Sequence, residues 1–150
     1  MAGKFFDEWI LNEEFVTPGR TITEADVVMY AGLSGDYADL HTNKELMKDS
    51  QFGERIAHGL LVMAISHGLV FRLGLIEGGA EIAFLSIESW QFKVPVFFGD
   101  TIHVKVKVAE KIPSKSKPDR GVLKLFLQII NQHGVVVQEG IRTLMMRKKV

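Results

Sequence analysis

Gly59-Leu-Leu-Val-Met-Ala-Ile-Ser-His-Gly-Leu-Val-Phe-Arg-Leu-Gly74 is the stretch that decides the fold. Leu60, Leu61, Val62, Met63, Ala64, Ile65, Leu69, Val70, Phe71 and Leu73 spread apolar surface around nearly the whole circumference of a helix. A helix that is apolar on every side must be enclosed by other structure or by lipid. The stretch is broken by His67 and Arg72 and falls short of the ~20 apolar residues that a membrane crossing needs. Enclosure by protein is therefore expected. At 1.5 Å per residue the rod is about 24 Å long, a length that a curved sheet can wrap.

The sheet is legible downstream. Ile102, Val104, Val106 and Val108 alternate with His103, Lys105 and Lys107, and Leu123, Leu125 and Leu127 alternate with Lys124, Phe126 and Gln128. That period of two is the mark of strands with one buried face. Asn131-Gln-His-Gly134 predicts a hairpin turn leading into a strand over Val135–Met145. Glu81–Lys93 is a further strand region, Gly99-Asp100 a tight turn, and Lys111–Gly121 a mobile hairpin loop. Upstream, Thr23 caps a helix that ends over Gly32–Gly35, Asp36–His41 reads as a loop, and Asn43 caps a short helix to Lys48. One apolar helix followed by antiparallel strands is an α+β domain over residues 1–150, and its wrapped-helix form is the hot-dog fold.

Composition narrows the function. Eighteen Lys plus Arg balance eighteen Asp plus Glu, which argues against nucleic-acid or anionic-membrane partners, because both need clustered positive charge. With 47% hydrophobic residues the chain has material for a core and is not disordered. The absence of cysteine excludes disulfides, thiolate metal sites and cysteine nucleophiles, and fits a cytoplasmic location. Met1–Asn12 carries Lys4, Asp7 and Glu8 and so forms no signal-peptide core. Neutral charge with this much apolar surface points to self-association.

Polar chemistry concentrates in Tyr30-Ala-Gly-Leu-Ser-Gly-Asp36-Tyr-Ala-Asp-Leu-His41. A carboxylate and an imidazole five residues apart can converge on one water and move protons near neutral pH. The alternative is that Asp36 caps a turn and His41 fills a polar niche. Ile56-Ala57-His58-Gly59 leads into the apolar helix, whose free N–H groups can stabilise a developing negative charge. Gly59 permits close approach of a carbonyl there, or simply tight packing. Ser66 and His67 sit inside the helix, where a hydroxyl bonded back to the backbone and a satisfied core histidine are the simpler readings. No two histidines stand at ligand spacing and no HExxH occurs, so no metal site is expected. No phosphate loop or GxSxG elbow is present either.

Several motifs in order resemble those of the MaoC-like dehydratases, the (R)-specific enoyl-CoA hydratases. They are Tyr30-Ala-Gly-Leu-Ser-Gly-Asp36 with His41, Phe52-Gly53 with Arg55-Ile-Ala-His-Gly-Leu60, Phe92-Lys-Val-Pro-Val-Phe-Phe-Gly-Asp100, and Thr23-Glu-Ala-Asp26. The match runs over about residues 20–146. The resemblance implies a homodimer, or a higher homo-oligomer, that reversibly hydrates a trans-2-enoyl thioester to the (R)-3-hydroxyacyl thioester. Its substrate is carried on coenzyme A or acyl carrier protein, and no separate cofactor is needed. By the same resemblance Asp36 and His41 fall on the catalytic pair and the Gly59 N–H on the oxyanion donor. His58, Ser66, His67, Ala38 and Asp39 are further substrate-binding candidates. Two positions depart from the family's Gly-Asp-x-Asn-Pro-x-His, with Ala38 for Asn and Asp39 for Pro, and His67 replaces a frequent serine. A hot-dog thioesterase using Asp36 to activate water, or a non-catalytic acyl-thioester binder, are the competing readings.

Overall fold

Alternation dictates the sheet. In β4 (Thr101–Pro113), Ile102, Val104, Val106 and Val108 are buried, and in β5 (Arg120–Ile130) so are Leu123, Leu125, Leu127 and Ile129. Each fully buried side chain of this size contributes about 1.5–3 kcal/mol of apolar transfer. The computed structural model describes residues 3–149. It adds β1 (Glu14–Val16), β2 (Arg20–Thr21), β3 (Glu81–Phe92) and β6 (Val136–Arg147). The strand order is β1-β4-β5-β6-β3, every pair antiparallel, with β2 also laid against β4.

The helix α4 (Gly59–Phe71) lies in the concave face of this sheet, which is the hot-dog arrangement. Leu61, Val62, Ser66, Leu69 and Val70 are its buried positions. They meet the inward side chains of β4 and β5 in one core with Ile22, Val27 and Ile76. At 13 residues α4 is shorter than the sixteen expected, because its backbone closes at Arg72 and turns at Gly74 with φ 68°. A second difference concerns enclosure. Leu60 is 58% exposed, Ala64 is exposed, and Met63 and His67 are half-buried. One chain's sheet thus wraps only part of the helix.

Before α4 come three helices, α1 (Glu24–Ser34), α2 (Asp39–Thr42) and α3 (Lys44–Met47). The expected loop over Asp36–His41 is therefore only partly a loop, since α2 begins at Asp39. Thr42 Oγ1 donates to the carbonyls of Tyr37 and Ala38, fastening that short turn in a way no periodicity announces. Gly32 lies within α1, and Gly35 alone ends it. The expected hairpin loop over Lys111–Gly121 is also corrected: β4 and β5 stay paired to Pro113↔Gly121, which leaves seven residues between the last paired positions. Surface charges there masked a ladder held by backbone bonds. The turns at Asn131–Gly134 and Gly99-Asp100 form as expected. Asn131 Oδ1 accepts from His133 N and Val135 N, and Asp100 Oδ2 accepts from Phe97 N. Among the described residues no helix is long and apolar enough to cross a membrane.

Candidate active site

The local sequence around α1 builds the first wall. Thr23 Oγ1 accepts from Asp26 N at 3.2 Å, and Asp26 Oδ2 accepts from Thr23 N at 2.8 Å, a reciprocal cap that fixes where the helix starts. Gly35 ends it with φ 77°, donating its N–H to Ala31 O at 2.8 Å. A left-handed residue is cheap only for glycine. The reversal it makes carries Asp36 back toward the start of α4. Asp36 is exposed, and its Oδ1 accepts from Ala38 N at 3.2 Å. The turn-capping reading of Asp36 is therefore present, and it leaves the second carboxylate oxygen free for chemistry.

His41 is buried in α2, and its Nδ1 lies 2.7 Å from the carbonyl of Ile56. A carbonyl only accepts, so Nδ1 carries the proton, and in the neutral ring Nε2 is the bare, basic nitrogen. His58, 2% exposed, stacks on His41 with ring centroids 3.7 Å apart. Its Nε2 donates to the Asp36 backbone carbonyl at 2.9 Å, while its Nδ1 is buried without a partner among the described residues. Tyr30 of α1 closes on the other side, 4.7 Å from the His58 ring. One donor atom each from Asp36, His41 and His58 lies within 4.8 Å of the others. The same three atoms are the set that could hold a metal ion, a cluster hidden from spacing rules because its members come from three elements.

Gly59 opens α4 directly beside this cluster. No side chain caps the helix there, which leaves its first-turn N–H groups without a side-chain partner, and Gly59 itself lines the adjoining cavity. A Cβ on Gly59 would stand 2.7 Å from Phe92 Cδ1, so any larger residue would have to push the Phe92 ring aside. Behind it, Gln138 Nε2 donates to Gly59 O at 3.0 Å, and Trp90 Nε1 donates to Gln138 Oε1 at 3.0 Å. A cavity of about 350 Å³ lies in front, lined by His41, Gly59, Phe92, Val94, Val96 and Gln138 among others.

Asp36, His41, His58 and Gly59 are thus brought together. The other candidates are not. Ser66 is fully buried and donates to Met63 O at 2.6 Å, so its hydroxyl serves the helix backbone. His67 lies further along α4, 4.8 Å from Phe71 and 5.8 Å from Phe84, and lines a different pocket. Burial, and secondarily Arg142, hold its imidazole below the ordinary histidine range. Asp39 turns outward to accept from Asn43 Nδ2 at 3.1 Å. As the first residue of α2 it occupies a position where proline is tolerated and an acid is favoured, so the departure from Pro leaves the turn intact. Ala38 supplies only its backbone N–H. Sequence reasoning missed Gln138, Trp90 and Phe92 as supports. No clear signal was available, because Gln138 is one of several polar side chains in that strand, with Glu139, Arg142, Thr143 and Arg147.

The MaoC like domain family matches residues 9–125. The chain is 38% identical to Protein MaoC of Klebsiella aerogenes over 108 residues, which is 72% of this chain and 31% of that protein. It is 32% identical to the (R)-specific enoyl-CoA hydratase of Rhodospirillum rubrum over 126 residues, 84% of this chain and 81% of that enzyme. A solved Archaeoglobus structure, described as a monoamine oxidase regulatory protein, superposes with a TM-score of 0.92 at 33% identity. That superposition covers 100% of this chain and 98% of the other. The chain spans about a third of the length of the Klebsiella protein and 60% of a matched 3-hydroxybutyryl-CoA dehydratase. A wrapped helix, a histidine and carboxylate at its N-terminus, and matches of this extent together place the chain in the MaoC-like domain family.

Proposed function

We propose that this chain hydrates trans-2-enoyl thioesters reversibly to (R)-3-hydroxyacyl thioesters, with Asp36 and His41 as the acid–base pair. The observation that carries the reading is the convergence of His41, with its Nε2 left basic, and the Asp36 carboxylate at the open N-terminus of α4. Hydration needs one group to take a proton from water as its oxygen attacks C3, and another to deliver a proton to C2. His41 Nε2 takes the first, Asp36 in its carboxylic acid form gives the second, and the proton held on His41 then passes back to Asp36 to restore the starting state. As the C3–O bond forms, the alkene π pair shifts and negative charge builds on the thioester oxygen. The Gly59 N–H and the helix dipole receive that charge without reorganising. Dehydration is the same sequence reversed. The thioester carrier, coenzyme A or acyl carrier protein, is part of the substrate, and nothing in these steps requires a separate cofactor. The relatives named (R)-specific enoyl-CoA hydratase and 3-hydroxybutyryl-CoA dehydratase support the reaction class.

The working unit is a homodimer. β3 is the last strand of the sheet, and Phe84, Leu85, Ile87 and Phe92 on it are each more than 40% exposed. Beside it runs the unwrapped stripe of α4. An open apolar edge is covered or it aggregates, and a second copy presenting the same edge covers both symmetrically.

The test is loss of the enoyl-thioester absorbance when protein meets crotonyl-CoA and longer trans-2-enoyl-CoAs, with free thiol followed in parallel. Asp36→Asn and His41→Ala should each lower turnover by at least ~100-fold, the low end for a general acid–base group. Wild-type rates in either variant would remove the pair from the mechanism. Steady thiol release would make the protein a thioesterase.

A further inference from the structure

A second pocket lies along the unwrapped side of α4, starting at Leu60, the residue after Gly59. It measures about 270 Å³ and is lined by Leu60, Met63, Ala64 and His67 on the helix, Phe84 and Ile87 on β3, and Arg142 on β6. The helical members stand at the i, i+3, i+4, i+7 spacing of one face. The lining is apolar up to its far end, where His67 and Arg142 stand.

Arg142 is the anomaly. It is 3% exposed, its Cζ sits 5.5 Å from the Phe84 ring centroid, and its Nη1 has no hydrogen-bond partner among the described residues. It also forms none of the ion pairs found among those residues. Burial drags this guanidinium down to about 10, with Glu81 opposing the drop. Glu81 offsets only part of that burial and makes no direct ion pair with Arg142. A buried charge without a bonded counter-charge is costly, and an anionic group on a ligand would offset the cost. The planar fork of arginine matches a carboxylate with two parallel bonds. His67 lies at the same end and, held below the ordinary histidine range first by burial and then by Arg142, adds a neutral hydrogen bonder rather than a second cation.

We propose that this pocket receives the far end of the acyl group and that this end carries a carboxylate bonded to Arg142, so that the preferred substrates are dicarboxylic acyl thioesters. The inference rests on the hydratase reading, which puts the thioester carbonyl at Gly59. From Gly59 to His67 the helix rises ~12 Å. A medium-length chain lying along α4 therefore delivers its terminal carboxylate to Arg142, whereas a short one ends among Leu60 and Met63.

Binding tests this without requiring turnover. Saturated suberoyl-CoA and octanoyl-CoA have the same chain length and differ by the terminal carboxylate. Calorimetric titration should show wild-type protein binding suberoyl-CoA at least ~10-fold more tightly, as expected for a desolvated guanidinium–carboxylate pair. Arg142→Met should reverse the preference toward octanoyl-CoA, and Arg142→Lys, which keeps the charge, should retain part of the original preference should the methionine variant fold poorly. Equal affinity, or a wild-type preference for octanoyl-CoA, would overturn the proposal. A dimer that falls apart on Arg142→Met, with the wild-type protein showing no preference, would assign Arg142 to the second copy instead. Binding of neither thioester would remove the acyl-thioester reading itself, and tight suberoyl-CoA binding without hydration of its 2-enoyl counterpart would remove the catalysis and keep the pocket.

Discussion

His58 shows how a single side chain ties two elements of the candidate site together. Its ring lies against that of His41, and its Nε2–H is the bond that ties the Asp36 backbone to the start of α4. Removing one partner of a buried hydrogen bond costs about 1–3 kcal/mol, because the other is left unsatisfied. His58→Phe keeps the aromatic stack and deletes that bond. It should lower kcat by ~10-fold or more, since small misplacements of catalytic groups carry large rate costs, and should leave KM for a medium-chain enoyl-CoA within a few-fold. Steady-state kinetics checks the split. A rate unchanged in a folded variant would show that Asp36 is held by its own turn, through the Ala38 N–H, and not by His58.

At the scale of an element, α1 stands or falls by its cap. The Thr23–Asp26 reciprocal bonds and the Arg20 guanidinium, 2.7 Å from Asp26 Oδ1, meet at one carboxylate. Burial alone would raise that carboxyl above the ordinary 3.8, but the bonds from Thr23 and Arg20 outweigh it and hold it lower. A carboxyl depressed in the folded state contributes stability that is present above its unfolded value and lost as pH falls through the folded one. Asp26→Asn should therefore be destabilising at neutral pH and converge on wild type well below pH 3.8. Thr23→Ala should cost about 1 kcal/mol, the usual worth of an N-cap. Urea unfolding at both pH values measures the two effects, and a constant gap for Asp26→Asn would locate the loss in packing. Because α1 carries Tyr30 and Gly35 into the site, a frayed α1 should also reduce turnover.

At the scale of the whole molecule, a single copy leaves one side of its central helix open. Its sheet closes around α4 on the β4–β5 side and leaves the β3 side open, with Leu60, Phe84 and Ile87 facing outward. Ile87→Lys places a charge in the middle of that face and should convert a dimer to a monomer in sedimentation velocity. It should also abolish the concentration dependence of Tm that an associating protein shows. A variant that remains dimeric would move the interface elsewhere. The second copy would in addition roof the pocket that ends at Arg142, so loss of the dimer should weaken medium-chain thioesters more than short ones.

The local features were legible because each is written in consecutive residues. The alternation of β4 and β5, the apolar helix α4, the Asn131–Gly134 turn and the Thr23 cap depend on spacing along the chain; all four formed, though α4 stops at Phe71 and is only partly enclosed. Asp36, His41 and Gly59 were legible through motif order rather than geometry. Spacing alone left the bland reading of Asp36 open, and the turn it describes does exist beside the cluster. The strands Glu14–Val16 and Arg20–Thr21 were not legible, being too short for any period to show and held by pairing with β4. Tertiary structure alone decided that His58 stacks on His41 and that Gln138 from β6 braces Gly59. It alone buried Arg142 beside Phe84 with its Nη1 unbonded among the described residues. Sequence determines what each segment must bury, because that follows from neighbours three or two residues away. Which polar groups meet inside follows from distances across the fold, and those exist only once the sheet has closed on the helix.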